Sequence, residues 1–358
     1  MSRIQLLDPN KKGPEAEALE MRLRQLVIGQ DDAVSKIVEA YQGFRTGMSP
    51  AGRPVGNFLF LGPTGSGKTR VVEATGEALF NGPGKVVKID CAEYQHSHEI
   101  AKLIGSPPGY LGHRETHALL SQEALNRHQT EATKLSLLLF DEIEKASDAL
   151  WNLLLGILDK GTLTLGDNRR VDFSQSMIFM TSNLGAAEMS ALGTPRLGFQ
   201  VACSGDAASK TKLNEKITTT GIAAARRRFT PEFINRLDHI VVFRSLGTQE
   251  MRRIIDIELN VVQQRILDAA RDNRFFLAVA ESAKEFLVAE GTDVRYGARP
   301  LKRAIERLLV HPISNLMASG QIRRGDRIRV SHPQDAPGLR FSRKRQAEQA
   351  WGVVGQAA

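Results

Sequence analysis

Cysteine is almost missing from this chain. Cys91 and Cys203 are the only two among 358 residues, too few for a disulfide framework or a four-ligand zinc site. No run of about 18 apolar residues occurs, so no membrane-spanning helix is expected. The opening Met1-Ser2-Arg3-Ile4-Gln5 lacks the apolar core of a signal peptide. Taken together these absences make a cytoplasmic location the expectation. There is no internal repeat and no extended heptad pattern.

What is present is ordinary for a soluble globular chain: 42% hydrophobic and 25% charged residues. The length exceeds what one hydrophobic core usually holds, so two domains are the default. Net charge is +8 but unevenly placed, with 13 Lys/Arg against 3 Asp/Glu between Arg295 and Arg345. That stretch alone carries +10, which leaves the remainder near −2. A basic end can meet nucleic acid or an acidic partner. Only Tyr296 and Phe341 fall among these charges, without the regular aromatic interleaving that stacking on bases would require. A solvated basic face and tail is therefore expected, and nucleic acid is not an expected partner.

Residues 1–20 read as a polar lead-in punctuated by Gly13-Pro14. From 21 to 245 strands alternate with helices. The strands are Phe58–Leu61, Lys85–Asp90, Leu135–Phe140, Met177–Met180 and Ile240–Phe243. Five strands separated by helical stretches predict a parallel sheet covered on both faces, an α/β fold. From 246 to 331 the pattern changes. Met251, Ile255, Leu259, Val262 and Ile266 fall on one helix face. A strand, two helices and another strand follow, predicting a small, mostly helical second domain. Residues 332–358 read as a basic, disordered tail.

Gly62-Pro63-Thr64-Gly65-Ser66-Gly67-Lys68-Thr69 fits the phosphate-binding loop pattern, between a strand and a helix. Such a turn aims backbone N–H groups and a helix N-terminus at an anion. Lys68 would reach the β- and γ-phosphates of a nucleoside triphosphate, and the Thr69 hydroxyl would ligate Mg²⁺. The run Leu137–Phe140 ends in Asp141-Glu142. Successive strand residues point opposite ways, so the two acids can serve different tasks. Asp141 would hold the Mg²⁺ shell and Glu142 would act as general base toward water. Asn183, at the end of another strand, would orient that water.

These residues, with several further segments, resemble the AAA+ ring ATPases of the Clp chaperone family, specifically their second, C-terminal ATPase module. The likeness runs from about Val27 to Val330. It includes Val27-Ile28-Gly29-Gln30, similar to the adenine-pocket segment, and Gly105–Gly112, similar to a pore loop. Gly161–Thr164 and Arg170–Phe173 resemble the second pore loop and the strand after it. Phe229–Asp238 and Tyr296–Arg303 resemble the arginine-finger and second-sensor segments. The resemblance implies a P-loop AAA+ αβα domain followed by a Clp-type small domain, with ATP and Mg²⁺ as cofactors. It implies a ring, usually a hexamer, that hydrolyses ATP and threads polypeptide through a central pore. Arg236 would be the finger acting on a neighbour's γ-phosphate, and Arg299 the sensor in the small domain. Tyr110 and Leu111 would grip unfolded or tagged protein substrates. Leu197-Gly198-Phe199 resembles the loop with which protease-linked members dock onto a barrel-shaped Clp-type peptidase.

The chain also departs from that pattern. After Gly112 it continues His113-Arg114-Glu115-Thr116-His117, where the family has acidic residues and a Gly pair. The recruitment and zinc-binding N-terminal domains of relatives have no counterpart in the sequence, so substrate recruitment is open. Two other readings stay open at this level: a nucleic-acid-remodelling AAA+ motor, and an ATP-switched scaffold without turnover.

Overall fold

The computed structural model describes residues 8–105, 118–193, 207–269, 274–292, 297–333 and 336–344. The chain divides into two compact units, Met1–Ser245 and Leu246–Ala358.

In the first unit β1 (Gly56–Leu61), β2 (Val87–Asp90) and β3 (Ser136–Asp141) come first. A short antiparallel pair follows, β4 (Thr162–Thr164) with β5 (Arg170–Asp172), then β6 (Ser176–Ser182) and β7 (His239–Val242). Five of them form one sheet in the order β2-β3-β6-β1-β7, with every pairing parallel. Helices cover both faces, so the central strands are apolar throughout rather than alternating. Phe58, Phe60, Leu137, Leu139 and Phe179 point to one face. There they pack under the helices Pro14–Leu26, Asp31–Arg45 and Lys68–Phe80. Leu59, Leu61, Leu138, Phe140 and Ile178 point to the other, under the helix Asp148–Lys160 and the rings of Phe229 and Phe233. Each of these fully buried side chains contributes about 1.5–3 kcal/mol.

The expected lead-in is shorter than the sequence suggested. A helix begins at Pro14 and buries Ala16, Leu19 and Leu23. That apolar stripe is thin and set among charged residues, which is why residues 14–20 read as polar.

The second unit is mostly helical. Helix Thr248–Ala269 is followed by β8 (Phe276–Val279) and helix Glu281–Gly291. A continuous helical segment then runs from Arg299 to Ala318 and widens to a π turn at Glu306–Val310. Pro312 stands just beyond; it has no N–H for the ladder and its ring crowds the preceding turn. β9 (Arg327–Ser331) and β10 (Arg340–Lys344) complete a sheet ordered β10-β9-β8, antiparallel then parallel. Met251, Ile255, Leu259, Val262 and Ile266 are buried together with Leu287, Leu301, Ile328 and Val330. The tail expected over 332–358 needs correction at 340–344, where the chain is a strand. Phe341 lies opposite Val330, but a single aromatic among basic residues gave no strand pattern to read.

One buried polar residue ties the first unit together. Asn57, fully buried at the start of β1, donates to the carbonyls of Leu158 (3.3 Å) and Arg236 (3.0 Å). Its backbone N–H donates to Asp238 at 2.8 Å. Asn57→Ala leaves two carbonyls without this donor, and removing a buried partner costs about 1–3 kcal/mol per orphaned group. The variant should lose roughly 2–4 kcal/mol in urea unfolding of the first unit; a loss below about 0.5 kcal/mol would mean that the surroundings re-pair both carbonyls.

Candidate nucleotide site

The site is assembled where β1, β3 and β6 end side by side. Leu61 lies opposite Ser182, and Phe140 opposite Met180. The residues that follow each strand therefore meet: Gly62 after β1, Asp141-Glu142 at the end of β3, and Asn183 after β6.

The loop after β1 is shaped for an anion. Gly62 has φ +150°, and a Cβ there would sit 2.6 Å from the Phe243 carbonyl oxygen. Gly67 caps the helix Lys68–Phe80 in the left-handed region and no side chain caps its first turn. The N-terminal N–H groups therefore lack the side-chain acceptor that usually meets them. The buried Ser66 Oγ has no hydrogen-bond partner among the described residues. Lys68 is buried and donates to the carbonyls of Gly62 (2.7 Å) and Pro63 (2.9 Å) and to Asn183 Oδ1 (2.9 Å). A cation, unmet N–H groups and an orphan hydroxyl in one cradle fit a polyphosphate.

Val27 and Ile28 are buried just after the first helix. The next side chain but one, Gln30, donates to the carbonyls of Ser66 (3.0 Å) and Arg244 (3.1 Å). That amide joins the Val27-Ile28 segment to the phosphate loop.

Asp141 is held from three sides. Thr181 Oγ1 donates to its carboxylate, Lys88 Nζ lies 3.1 Å away, and Thr69 Oγ1 is at 3.3 Å. Burial alone would raise its pKa, but the hydrogen bonds from Thr181 and Lys88 and the Lys88 charge prevail and hold it below the ordinary carboxylate value. It is therefore an anion at neutral pH. Thr69 and Asp141 present hard oxygens to one point, as a Mg²⁺ site needs. Among the described residues no group of three or more His, Cys, Asp or Glu is arranged to hold a metal ion. A cation held by this pair would take its remaining oxygens from the nucleotide and water.

Glu142 adopts φ 57°, ψ 48°, a left-handed conformation that costs a non-glycine residue about 1 kcal/mol or more. Its N–H donates to Thr181 Oγ1 at 3.1 Å. Its carboxylate meets Lys145 Nζ at 2.5 Å and Asn183 Nδ2 at 3.5 Å. The hydrogen bond and charge of Glu142 raise the Lys145 pKa. Glu144 accepts from the Asn183 backbone N–H at 3.1 Å and fixes the turn that carries that amide.

Sequence reasoning missed Thr181, Lys88 and Lys145. Thr181 is the hub: one hydroxyl donates to Asp141 and accepts from the Glu142 backbone. Its signal was a hydroxyl, followed by a second at Ser182, where an apolar strand ends two residues before Asn183. Lys88 is opposite Leu139 in the register, two residues before the acidic end of β3 at Asp141.

One expected participant sits elsewhere within the first unit. Arg236 donates to the Glu232 carbonyl (2.9 Å) and pairs with Glu232 (3.2 Å) and Asp159 (3.6 Å). Its carbonyl is bound by Asn57, at the beginning of β1, whereas the phosphate loop follows the end of that strand. At about 3.3 Å per residue the two lie roughly 16 Å apart along β1. Arg299 is the first residue of its helix in the second unit and is exposed there. Tyr110, Leu111, Leu197, Gly198 and Phe199 lie outside the described residues.

Thr181→Val keeps the volume and removes both hydroxyl bonds. Losses of supporting bonds of this kind typically cost 10–100-fold in metal affinity or activity. The expected result is a fall of about that size in Mg²⁺-dependent ATP hydrolysis in a chain that remains folded; unchanged turnover would remove Thr181 from the site.

Comparison with known proteins agrees in both units. Residues 53–240 match the family described as AAA domain (Cdc48 subfamily), and residues 246–330 match the C-terminal, D2-small domain of ClpB protein. Chaperone protein ClpB 1 of Thermosynechococcus vestitus is 38% identical over 347 residues, 96% of this chain and 36% of the relative. Chaperone protein ClpB of Meiothermus ruber is 39% identical over 312 residues, 87% of this chain and 34% of the relative. Heat shock protein 100 of Trypanosoma brucei brucei is 37% identical over 327 residues, 91% and 35%. A solved structure, a closed-state cryo-EM reconstruction of Hsp104 with ATPγS and FITC casein, matches with a TM-score of 0.74 and 28% identity. It covers 92% of this chain and 52% of its own. The chain spans about a third of the length of the curated relatives it matches. It belongs to the AAA domain family, and its two units together are those of the second ATPase module of the Clp-type chaperones.

Proposed function

We propose that this chain binds ATP with Mg²⁺, hydrolyses it at a seam between neighbouring copies in a ring, and uses the cycle to unfold and thread polypeptide. The observation that carries the proposal is the position of Arg236. It is anchored by Asn57 at the far end of β1 from its own phosphate loop. A guanidinium there is too distant for its own nucleotide and points to service on another copy's. The relatives named as ClpB and Hsp100 chaperones, and the Hsp104 structure titled with ATPγS and casein, support the same reading.

In this scheme the loop Gly62–Thr69 takes the triphosphate, with Val27 and Ile28 against the base. Lys68 exchanges its carbonyl partners for β- and γ-phosphate oxygens. Mg²⁺ held by Thr69 and Asp141 would neutralise charge on those phosphates. Glu142 releases Lys145 and accepts the proton of the attacking water, which Asn183 orients by hydrogen bonding. Arg236 of the adjoining copy leaves Glu232 and Asp159 and stabilises the charge that builds during phosphoryl transfer, an effect worth about 10³–10⁵ in rate in related chemistry. Arg299 couples the small unit to the nucleotide state, and Tyr110 with Leu111 grips the client. A cytoplasmic location belongs to the same proposal; among the described residues no helix is long and apolar enough to cross a membrane.

Subunit mixing tests this. Glu142→Gln should bind ATP and lose turnover by about 10²-fold or more, and Arg236→Ala should be equally inactive. Mixed together they should recover ATPase stimulated by an unfolded polypeptide, because a subunit with intact Glu142 then receives Arg236 from its neighbour. No recovery in co-assembled mixtures would contradict action across the seam. Stimulation by single-stranded DNA instead of unfolded protein would contradict the polypeptide assignment.

A further inference from the structure

The three-stranded sheet of the second unit has one face that carries only positive charge. Arg327 and Arg329 project from β9, the central strand, and both are exposed. The register places Arg340 opposite Ser331 and Ser342 opposite Arg329, on the same face. Phe276 and Ala278 of β8 lie opposite Arg327 and Arg329 on the other side. No acidic residue of the three strands shares this face. Arg327, Arg329 and Arg340 make no ion pair among the described residues, whereas Arg343, of opposite parity, pairs with Asp326 at 3.4 Å. Arg323 and Arg324 extend the charge into the turn before β9.

A solvent-exposed face needs polar residues, but it does not need like charges opposite one another, which are destabilising across strands. Charges on an edge strand are a common guard against self-pairing. That accounts for β10 but not for Arg327 and Arg329, which are on the central strand. The outer edge of β10 has no backbone pairing among the described residues. On the sheet's other side, a cavity of about 300 Å³ lies against β10, with Leu316, Ile322 and Phe341 among its lining residues.

We propose that β10 receives an extended acidic segment of a partner protein as a fourth strand. Side chains of an added strand alternate between the faces with the same repeat of about 6.8 Å as those of β10. Acidic residues at alternate positions then stand beside Arg340 and the guanidinium groups of β9, where carboxylates accept forked hydrogen bonds. The intervening residues face the cavity beside Leu316, Ile322 and Phe341, where Arg343 is already paired with Asp326, so the recognised pattern is acidic–apolar–acidic–apolar. A second copy of this chain is a poor occupant, because its own edge would bring Arg340 and Arg343 against the same charges. Single-stranded nucleic acid is disfavoured because Phe276, 56% exposed, is the one aromatic side chain on this face, and successive bases need several stacking platforms.

Fluorescence anisotropy with the full chain tests the assignment. The probes are a labelled nine-residue peptide alternating Glu and Val, its Lys–Val counterpart, the Glu–Val peptide with alternate backbone amides N-methylated, and a 15-nucleotide oligo-dT. Expected is saturable binding of the Glu–Val peptide only. It should weaken about tenfold or more in Arg327→Gln/Arg329→Gln/Arg340→Gln, with ATPγS binding and melting temperature unchanged. The face lies outside the nucleotide site, so failure here leaves the ATPase reading intact. Absence of Glu–Val binding would overturn the proposal. So would equal binding of the N-methylated peptide, which would indicate charge attraction without strand pairing, or tighter binding of oligo-dT.

Discussion

Three parallel strands that end level are the constraint on which the rest depends. β1, β3 and β6 are neighbours, and their register brings Gly62, Asp141 and Asn183 to the same edge of the sheet. A one-residue slip of β3 against β6 would turn Asp141 away from Thr181 and move Leu138 and Phe140 to the wrong face. The register is therefore enforced by the two apolar layers, not by the polar groups that it positions. The hydrophobic core and the site chemistry are the same piece of geometry.

Within that edge, one hydroxyl sets the division of labour between two adjacent acids. Thr181 donates to the Asp141 carboxylate and accepts from the Glu142 amide. Asp141 is thereby fixed beside Thr69, while Glu142 is turned into a left-handed conformation that aims it away, toward Asn183 and Lys145. Asp141 is held by three groups, Thr181, Lys88 and Thr69; Glu142 is somewhat more exposed and meets only Lys145 and, at 3.5 Å, Asn183. That difference suits a cation ligand that stays and a base that must change partners. β1 carries a second division of labour, since its last residue opens the phosphate loop and its second, Asn57, anchors Arg236. The strand keeps the two groups apart, and in the proposed ring another copy would bring them together.

Much of this was legible in the residues. The central strands β1, β3 and β6 carry continuous apolar runs because both sheet faces are covered there, and Gly62–Thr69 declares its cradle by glycine spacing. Asp141, Glu142 and Asn183 were read at strand ends, where the structure places them. The hub was not legible: Thr181 looks like any β-branched strand residue until its register opposite Phe60, and its closeness to Asp141, are known. Lys88 and Lys145 act through space across β2 and a helical turn, which no short motif encodes. The first helix was hidden by its narrow apolar stripe, and β10 by having only Phe341 to mark its buried side. Phe276 and Arg327 are 51 positions apart in sequence, so a face combining an aromatic with arginines could not be read along the chain.

The most direct test of the central claim is ATP turnover per chain, measured across a dilution series alongside sedimentation. If the site is completed by Arg236 of a neighbour, turnover per chain falls steeply as the assembly dissociates and is lost in the monomer. Constant turnover per chain down to concentrations at which the protein sediments as a monomer would contradict the account.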